Sequence, residues 1–203
     1  MAESKKKLTF TDWARLRAAF IIDPIVTFLA SYRLSPDLLT IMGLVAHFGI
    51  AWLVGMGQMM WAGIALMILG PLDALDGALA RKLGRKQGGF GAYLDSTLDR
   101  LAEIVLFGGF IYYYVQQGDF TMLAIAYIAI TGSLMVSYSR GRAEGLGFDG
   151  KVGLLGRLER YIVLIILTIL NLPHIALIVL AIFTYITVGQ RMYSVWKQSD
   201  RSK

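Results

Sequence analysis

The chain has 203 residues, 56% of them hydrophobic, and a net charge of +6. With a mean hydropathy of +0.59, this composition places it in the membrane class and leaves room for one helical bundle but for no second large domain. The chain has no cysteine, which excludes disulfides and zinc–thiolate sites. Because the basic residues flank apolar segments, we expect anionic lipid and phosphate-bearing substrates as partners, and no nucleic acid.

The apolar pattern predicts an all-α integral membrane protein with six transmembrane helices and an N-terminal interfacial amphipathic helix. Residues 1–22 are expected to form a cytoplasmic tail and this interfacial helix. In it, Trp13, Leu16 and Phe20 recur at helical spacing, while arginines occupy other faces. Residues 23–203 are expected to form the six-helix membrane domain that carries the candidate site.

Apolar runs of suitable length place the six spans along this domain. Pro71 lies inside the second span and removes the hydrogen bond to the carbonyl of Met67, so we expect a kink there. The fifth run is short, so its first turns are expected to include residues 154–160. The predicted spans cover residues 38–54, 59–72, 91–115, 120–138, 161–170 and 175–188.

The basic residues avoid every second connection between the predicted spans. Residues 41–80, 101–139 and 161–190 contain no lysine or arginine. Because lysine and arginine concentrate in the cytoplasmic connections of membrane proteins, we expect a multi-pass protein of the cell membrane with both termini cytoplasmic. The same orientation puts the chain's most unusual charges at the cytoplasmic side.

These charges are four aspartates at the ends of spans two and three. Asp73 and Asp76 are three residues apart, and Asp95 and Asp99 are four apart, so each pair shares one face of a helix. Ionisable side chains in membrane segments are costly and usually functional. Two like charges about 4 Å apart repel by about 4 kcal/mol at an effective dielectric of about 20. If the two faces meet, the cluster therefore needs protons or cations.

Carboxylate oxygens are the ligands that hard divalent ions such as Mg²⁺, Mn²⁺ and Ca²⁺ prefer. Two such ions about 3.5–4 Å apart are the common arrangement for attack at phosphorus. On a soluble helix an Asp-x-x-Asp pair is usually a solvated face. Two pairs on consecutive membrane helices, with small residues between them, favour a metal site.

The aspartates belong to a longer pattern, Asp73-x-x-Asp76-Gly77-x-x-Ala80-Arg81 followed by Gly91-x-x-x-Asp95-x-x-x-Asp99. It resembles the signature of the CDP-alcohol phosphotransferase family, whose members move a substituted phosphoryl group from a CDP-linked donor to an acceptor hydroxyl and release CMP. This chain has nine residues between Arg81 and Gly91, where the usual pattern has eight. No role is therefore carried over to residues 82–90.

The resemblance implies a fold, a donor and a set of roles. The family has six membrane helices, usually an N-terminal interfacial helix, and forms homodimers. By motif position, the four aspartates would hold two Mg²⁺ or Mn²⁺ ions, and Asp99 would also act as the catalytic base. Residues 35–40 resemble the family's nucleotide-contacting segment, although Ser-Pro-Asp is also a good helix start. Contacts to CDP-diacylglycerol are implied for Pro36, Asp37, Leu38, Leu39, Thr40, Gly77, Ala80, Arg81 and Gly91.

The acceptor is indicated by a basic cluster at the ends of spans four, five and six. Runs over residues 137–144 and 157–160 are similar to the family branch that uses inositol 1-phosphate, which implies Ser137, Arg157 and Arg191 as acceptor-phosphate ligands. Glycerol 3-phosphate, the acceptor in phosphatidylglycerophosphate synthesis, is the alternative small phosphorylated polyol. Membrane anchoring and pairing with Glu144 and Glu159 would also explain these arginines.

Two readings from other classes remain. A divalent-cation transporter could use the aspartates as a relay, but it should carry acids near mid-membrane on more spans, and spans one, four, five and six have none in their interiors. A purely structural bundle would leave four clustered acids unexplained. The sequence therefore favours a metal-dependent lipid transferase.

Overall fold

The computed structural model describes residues 23–32, 34–70, 72–84 and 89–200, and within helix α4 it leaves out the side chains of residues 72–74. The predicted interfacial helix over residues 8–22 and the predicted kink at Pro71 lie outside the described residues. All regular structure in the described ranges is helical, which confirms the predicted all-α class.

Eight helices occur in the described ranges. The first, α1, covers residues 23–31 and contains Pro24. The others are α2 (Pro36–Gly55), α3 (Met59–Leu69), α4 (Leu72–Lys82), α5 (Phe90–Gln117), α6 (Phe120–Gly145), α7 (Arg157–Ile169) and α8 (Pro173–Asp200).

Three of these helices, α2, α6 and α8, are long and apolar enough to cross a membrane, judged by length and composition. Helix α5 has 28 residues and carries two of the predicted site aspartates near its start. Helices α3 and α7 have 11 and 13 residues, which is shorter than the 20 or so residues of an ordinary span. The number of spans therefore stays a prediction.

The second predicted span, over residues 59–72, corresponds to α3 and the first residue of α4 in the described part of the chain. Helix α3 ends at Leu69, Gly70 donates its N–H to the carbonyl of Leu66 (2.8 Å), and α4 begins at Leu72. Proline has no N–H to donate and clashes with the preceding turn. A glycine directly before it adds backbone freedom. The kink expected at Pro71 stays a prediction, because this residue lies outside the described ranges.

The start predicted for the fifth helix needs correction. Helix α7 begins at Arg157, because Gly156 before it is extended (φ −71°, ψ −172°). Gly153 has φ +134°, a conformation that side chains disfavour. Residues 154–156 therefore belong to the α6–α7 connection. The sixth helix is longer than its predicted span, since α8 continues to Asp200.

Close backbone contacts hold the long helices together: α2 packs on α5, α5 on α6, and α6 on α8. A Cβ atom at Gly109 of α5 would lie 2.5 Å from the carbonyl oxygen of Ala51 in α2. A Cβ atom at Gly132 of α6 would lie 2.1 Å from the hydroxyl of Thr184 in α8. Small residues at such crossings let membrane helices approach closely.

A smaller apolar cluster fixes α4, the helix that carries Asp76. Val26, Leu39, Leu75 and Leu79 are buried together, and they join α1, α2 and α4. The ammonium of Lys82 also donates to the hydroxyl of Thr27. Because α4 is held by both neighbours, its acid-bearing turn is set against the first turns of α2.

Candidate active site

A cavity lies between α2, α4, α5 and the first turn of α7, at the point where α3 ends. Two of the predicted metal-ligating aspartates and one predicted acceptor ligand line it. The lining residues are Leu39, Thr40, Gly43, Leu44, His47, Leu69, Gly70, Asp76, Leu98, Asp99, Ala102, Arg157 and Tyr161.

Asp76 enters this cavity from α4 and is only 5% exposed. The hydroxyl of Thr40 on α2 donates to its Oδ2 at 2.8 Å. The hydrogen bond connects the predicted nucleotide-contacting segment to the predicted metal ligand, although 36 residues separate the two. Thr40 and its neighbour Leu39 thus line the same cavity as the acid, and their contact with the donor stays a prediction.

Asp99 enters from α5, and its side chain is 10% exposed. Arg157 at the start of α7 forms a close ion pair with it, and Arg100 lies 3.6 Å away. The guanidinium of Arg157 also lies over the ring of Tyr161, 5.6 Å from the ring centroid, in cation–π geometry. A predicted acceptor ligand and a predicted catalytic base are therefore direct neighbours.

Tyr161 connects the floor of the cavity to α2. Its hydroxyl lies 3.3 Å from Nε2 of His47, and Nδ1 of His47 lies 2.8 Å from the carbonyl oxygen of Gly43. A carbonyl can only accept, so Nδ1 carries a proton, and in the neutral ring the hydroxyl of Tyr161 donates to Nε2. We expected His47 to pack or to lie at an interface, and it is indeed 8% exposed. It also borders the site.

The other two predicted metal ligands, Asp95 and Asp73, are not among the described residues that line the cavity. Asp95 lies on α5 one turn before Asp99, is half-buried, and is not among the cavity-lining residues. Asp73 lies in the first turn of α4, three residues before Asp76, and its side chain is outside the described part. Among the described side chains, no group of three or more histidine, aspartate or glutamate residues is arranged to hold a metal. Convergence of all four aspartates stays a prediction.

The donor set still fits a hard divalent ion. Asp76 and Asp99 bring carboxylates from two helices to one cavity, and carboxylate oxygen is what Mg²⁺ and Mn²⁺ select. Two guanidinium groups, those of Arg157 and Arg100, pair with Asp99. Both predicted ion-binding pairs lie on the helices that border the cavity, α4 and α5.

The other predicted CDP-lipid contacts lie along α4 and at the starts of α2 and α5. Around Gly77, among the described residues, a Cβ atom would come within 4 Å only of Nη1 of Arg81, at 3.6 Å. No other helix in the described part of the chain comes within 4 Å of that position. Arg81 is exposed, Ala80 is half-buried, Pro36 and Asp37 begin α2, Leu38 is 44% exposed, and Gly91 lies in the first turn of α5.

The other two predicted acceptor ligands lie outside the cavity lining. Ser137 on α6 accepts from Nη2 of Arg160 at 3.5 Å. Arg191 on α8 is 5% exposed and donates to the carbonyl oxygens of Val152 (2.8 Å) and Val136. Arg191 therefore joins α6 to the α6–α7 connection. Its proposed contact with acceptor phosphate stays a prediction.

Sequence reasoning missed Glu103, which is the ion-pair partner of Arg160. Glu103 is 3% exposed, Arg160 is 1% exposed, and they pair across α5 and α7 at 3.2 Å. The available signal was an acid inside the third span, one turn beyond Asp99. The pairing of the basic cluster with Glu144, one of the predicted alternatives, does occur: Arg140 pairs with it at 2.9 Å.

Comparisons with known proteins agree with the geometry. The family model described as CDP-alcohol phosphatidyltransferase matches residues 33–190. The chain is 38% identical over 174 residues to an archaetidylinositol phosphate synthase of Pyrococcus horikoshii, covering 85% of this chain and 89% of that protein. It is 31% identical to a phosphatidylinositol phosphate synthase of Streptomyces avermitilis, with coverage of 95% and 85%.

Solved structures of a Mycobacterium tuberculosis enzyme are also similar. The crystal structure of its phosphatidylinositol phosphate synthase (PgsA1) with CDP-DAG bound has a TM-score of 0.81 and 30% identity, and covers 88% of this chain and 94% of that chain. The same enzyme in complex with manganese and citrate has a TM-score of 0.80 and 30% identity, with coverage of 86% and 88%. Together with the matched residues and the placement of the motif, these similarities establish that the chain belongs to the CDP-alcohol phosphatidyltransferase family.

Proposed function

We propose that this protein transfers a phosphatidyl group from CDP-diacylglycerol to a hydroxyl of a small phosphorylated polyol, with inositol 1-phosphate favoured, and releases CMP. The observation that carries the proposal is the cavity that Asp76, Asp99 and Arg157 share. It combines carboxylates suited to ions that bind a diphosphate with a guanidinium suited to an anionic acceptor. The similar synthases named for inositol phosphate lipids support the choice of acceptor.

Asp99 is the proposed base for the acceptor hydroxyl. The carboxylate takes the hydroxyl proton, and the acceptor oxygen forms a bond to the phosphorus that carries diacylglycerol. The bond between that phosphorus and the bridging oxygen breaks, and CMP leaves with the electron pair. The products are the phosphatidyl acceptor and CMP, and the proton on Asp99 returns to solvent.

Asp73, Asp76, Asp95 and Asp99 would hold two Mg²⁺ or Mn²⁺ ions. These ions supply charge neutralisation for the diphosphate. Asp76 is pre-oriented for this by the hydroxyl of Thr40, and among the described residues only Arg81 lies within 4 Å of a Cβ position at Gly77, which supports room for the donor there. The manganese complex of the similar mycobacterial enzyme supports divalent-metal use.

The proposed setting is the cell membrane, with six spans, both termini cytoplasmic and the cavity open to the cytoplasm. Support comes from three helices of spanning length and from the distribution of lysine and arginine. Lateral access from the bilayer would admit the acyl chains, while CMP and the acceptor exchange with water. A homodimer is proposed from family membership.

Competition between acceptors tests the substrate assignment. Purified protein in lipid is given CDP-diacylglycerol with labelled inositol 1-phosphate and glycerol 3-phosphate in parallel, and labelled lipid and CMP are measured. We expect labelled lipid and CMP in equal amounts with inositol 1-phosphate. If labelled lipid formed only from glycerol 3-phosphate, the choice of inositol 1-phosphate as acceptor would be wrong, but the proposed type of reaction would stand. If neither acceptor gave labelled lipid and CMP, the proposed function would be contradicted.

A further inference from the structure

A second ion pair lies directly behind the one at the cavity. Oε1 of Glu103 on α5 accepts from Nε and Nη2 of Arg160 on α7, both at 3.2 Å. The hydroxyl of Ser133 on α6 donates to the same oxygen at 2.6 Å. Glu103 therefore connects three helices at one point that is almost fully removed from solvent.

The two pairs are related by one helical turn on each side. Glu103 follows Asp99 by four residues on α5, and Arg160 follows Arg157 by three on α7. Both carboxylates face guanidinium groups across the same helix interface. Positions three and four apart lie on one helix face. The ion pair between Glu103 and Arg160, the inner pair, therefore fixes the rotation and axial position of the α7 turn that carries Arg157.

The inner pair also reaches another predicted acceptor ligand. Nη2 of Arg160, which is held by Glu103, lies 3.5 Å from the hydroxyl of Ser137. Val136, the residue before Ser137, accepts from Arg191. Glu103 and Arg160 therefore contact the helices that carry all three predicted acceptor ligands or their partners. Arg157 lies on α7 with Arg160, Ser137 lies on α6 with Ser133, and Arg191 bonds to α6 through Val136.

Stability alone does not explain why a buried ion pair is present in this bundle. Desolvation of two charges offsets most of their attraction, and apolar residues of similar size are often at least as stabilising. Ionisable groups inside a membrane bundle usually serve function. Here the pair gives Arg160 a neutralising partner, so that the positive charge at the cavity comes from Arg157.

We propose that Glu103 is a positioning residue for acceptor recognition, which holds Arg160 so that Ser137 and Arg157 face the phosphate of the acceptor. This rests on the proposed function and assigns to it a residue outside the metal motif. Glu103 acts through Arg160 and Ser133 and does not touch substrate. Its removal should therefore weaken use of the acceptor and leave use of CDP-diacylglycerol unchanged.

Kinetics of three variants test this role. Glu103→Gln keeps an oxygen acceptor but leaves the charge of Arg160 uncompensated. The double variant Glu103→Leu with Arg160→Met removes both buried charges, a change that bundles commonly tolerate. Glu144→Gln removes an exposed carboxylate that pairs with Arg140 on α6 and serves as the matched control.

We expect Glu103→Gln and the double variant to raise the KM for inositol 1-phosphate at least about tenfold, the size of one lost charge-assisted contact. The KM for CDP-diacylglycerol should change less than about twofold, and Glu144→Gln should match wild type. Unchanged acceptor KM in Glu103→Gln would overturn the proposal. Wild-type kinetics in a stable double variant would also overturn it, because the pair would then be structural only.

Ligand-induced stabilisation separates this proposal from the proposed function, because it needs no turnover. Inositol 1-phosphate and glycerol 3-phosphate are each added during thermal unfolding with Mg²⁺ present. A ligand that binds the folded state raises its unfolding temperature. We expect a shift for wild type and Glu144→Gln that is lost in Glu103→Gln. If wild type releases no CMP yet shows this difference, the positioning role stands without the reaction. No shift for wild type with either acceptor would overturn the role.

Discussion

Arg157 on α7 and Asp99 on α5 form an ion pair inside the cavity that also contains Asp76, although 58 residues separate them in the chain. The side chain of Arg157 is 34% exposed, whereas the side chain of Asp99 is 10% exposed. The pair places a group suited to acceptor phosphate directly beside the proposed base. It also neutralises an acid that metal ions would otherwise share.

Removal of Arg157 should impair the acceptor step. We expect Arg157→Gln to lower kcat/KM for inositol 1-phosphate by about 10- to 100-fold, because a hydrogen bond to a charged group contributes about 1.5–3 kcal/mol. The KM for CDP-diacylglycerol should change little. Lys151→Gln, which removes an exposed cation from the neighbouring α6–α7 connection, is the control. If both variants lost kcat/KM for inositol 1-phosphate equally, the loss would come from the lower positive charge of this region and not from a specific contact of Arg157.

Asp99 should be required for turnover itself. Asp99→Asn keeps the size of the side chain but removes the base and one anionic metal ligand. General-base catalysis alone contributes about 10²- to 10⁴-fold. We expect kcat for CMP release to fall by at least about 100-fold, measured with saturating donor and acceptor. An Asp99→Asn or Asp99→Ala protein that kept full turnover would refute the base assignment.

The hydroxyl of Thr40 should matter through Asp76. Thr40→Val keeps the shape of the side chain but loses the 2.8 Å hydrogen bond to the carboxylate, while Thr40→Ser keeps the donor. We expect about tenfold lower kcat/KM for CDP-diacylglycerol in Thr40→Val, the size of one hydrogen bond to a charged group. Thr40→Ser should remain within about threefold of wild type. If both variants behaved alike, the hydroxyl would not be the relevant group.

Local spacing predicted much of the fold and part of the site. The long apolar runs became α2, α6 and α8, and both aspartate pairs lie on helices at the predicted three- and four-residue spacing. These features depend on residues close in the chain, so one sequence is enough to detect them. The motif also fixes which turns of α4 and α5 border the cavity.

Pairings between distant residues could not be predicted in this way. Arg160 had several possible acidic partners in the sequence, and only the three-dimensional placement of the two side chains selects Glu103. The contact between Tyr161 and His47 spans 114 residues and has no local signal.

Metal-dependent release of CMP from CDP-diacylglycerol tests the central claim, that the aspartates of α4 and α5 hold divalent ions that bind the diphosphate. Turnover is measured with inositol 1-phosphate during titration with Mg²⁺ or Mn²⁺, with and without EDTA, for wild type and Asp76→Asn. We expect no CMP release in EDTA, recovery on addition of either ion, and at least about 100-fold weaker turnover in Asp76→Asn at every ion concentration. CMP release that persisted in EDTA, or an Asp76→Asn protein with the ion dependence of wild type, would contradict the account.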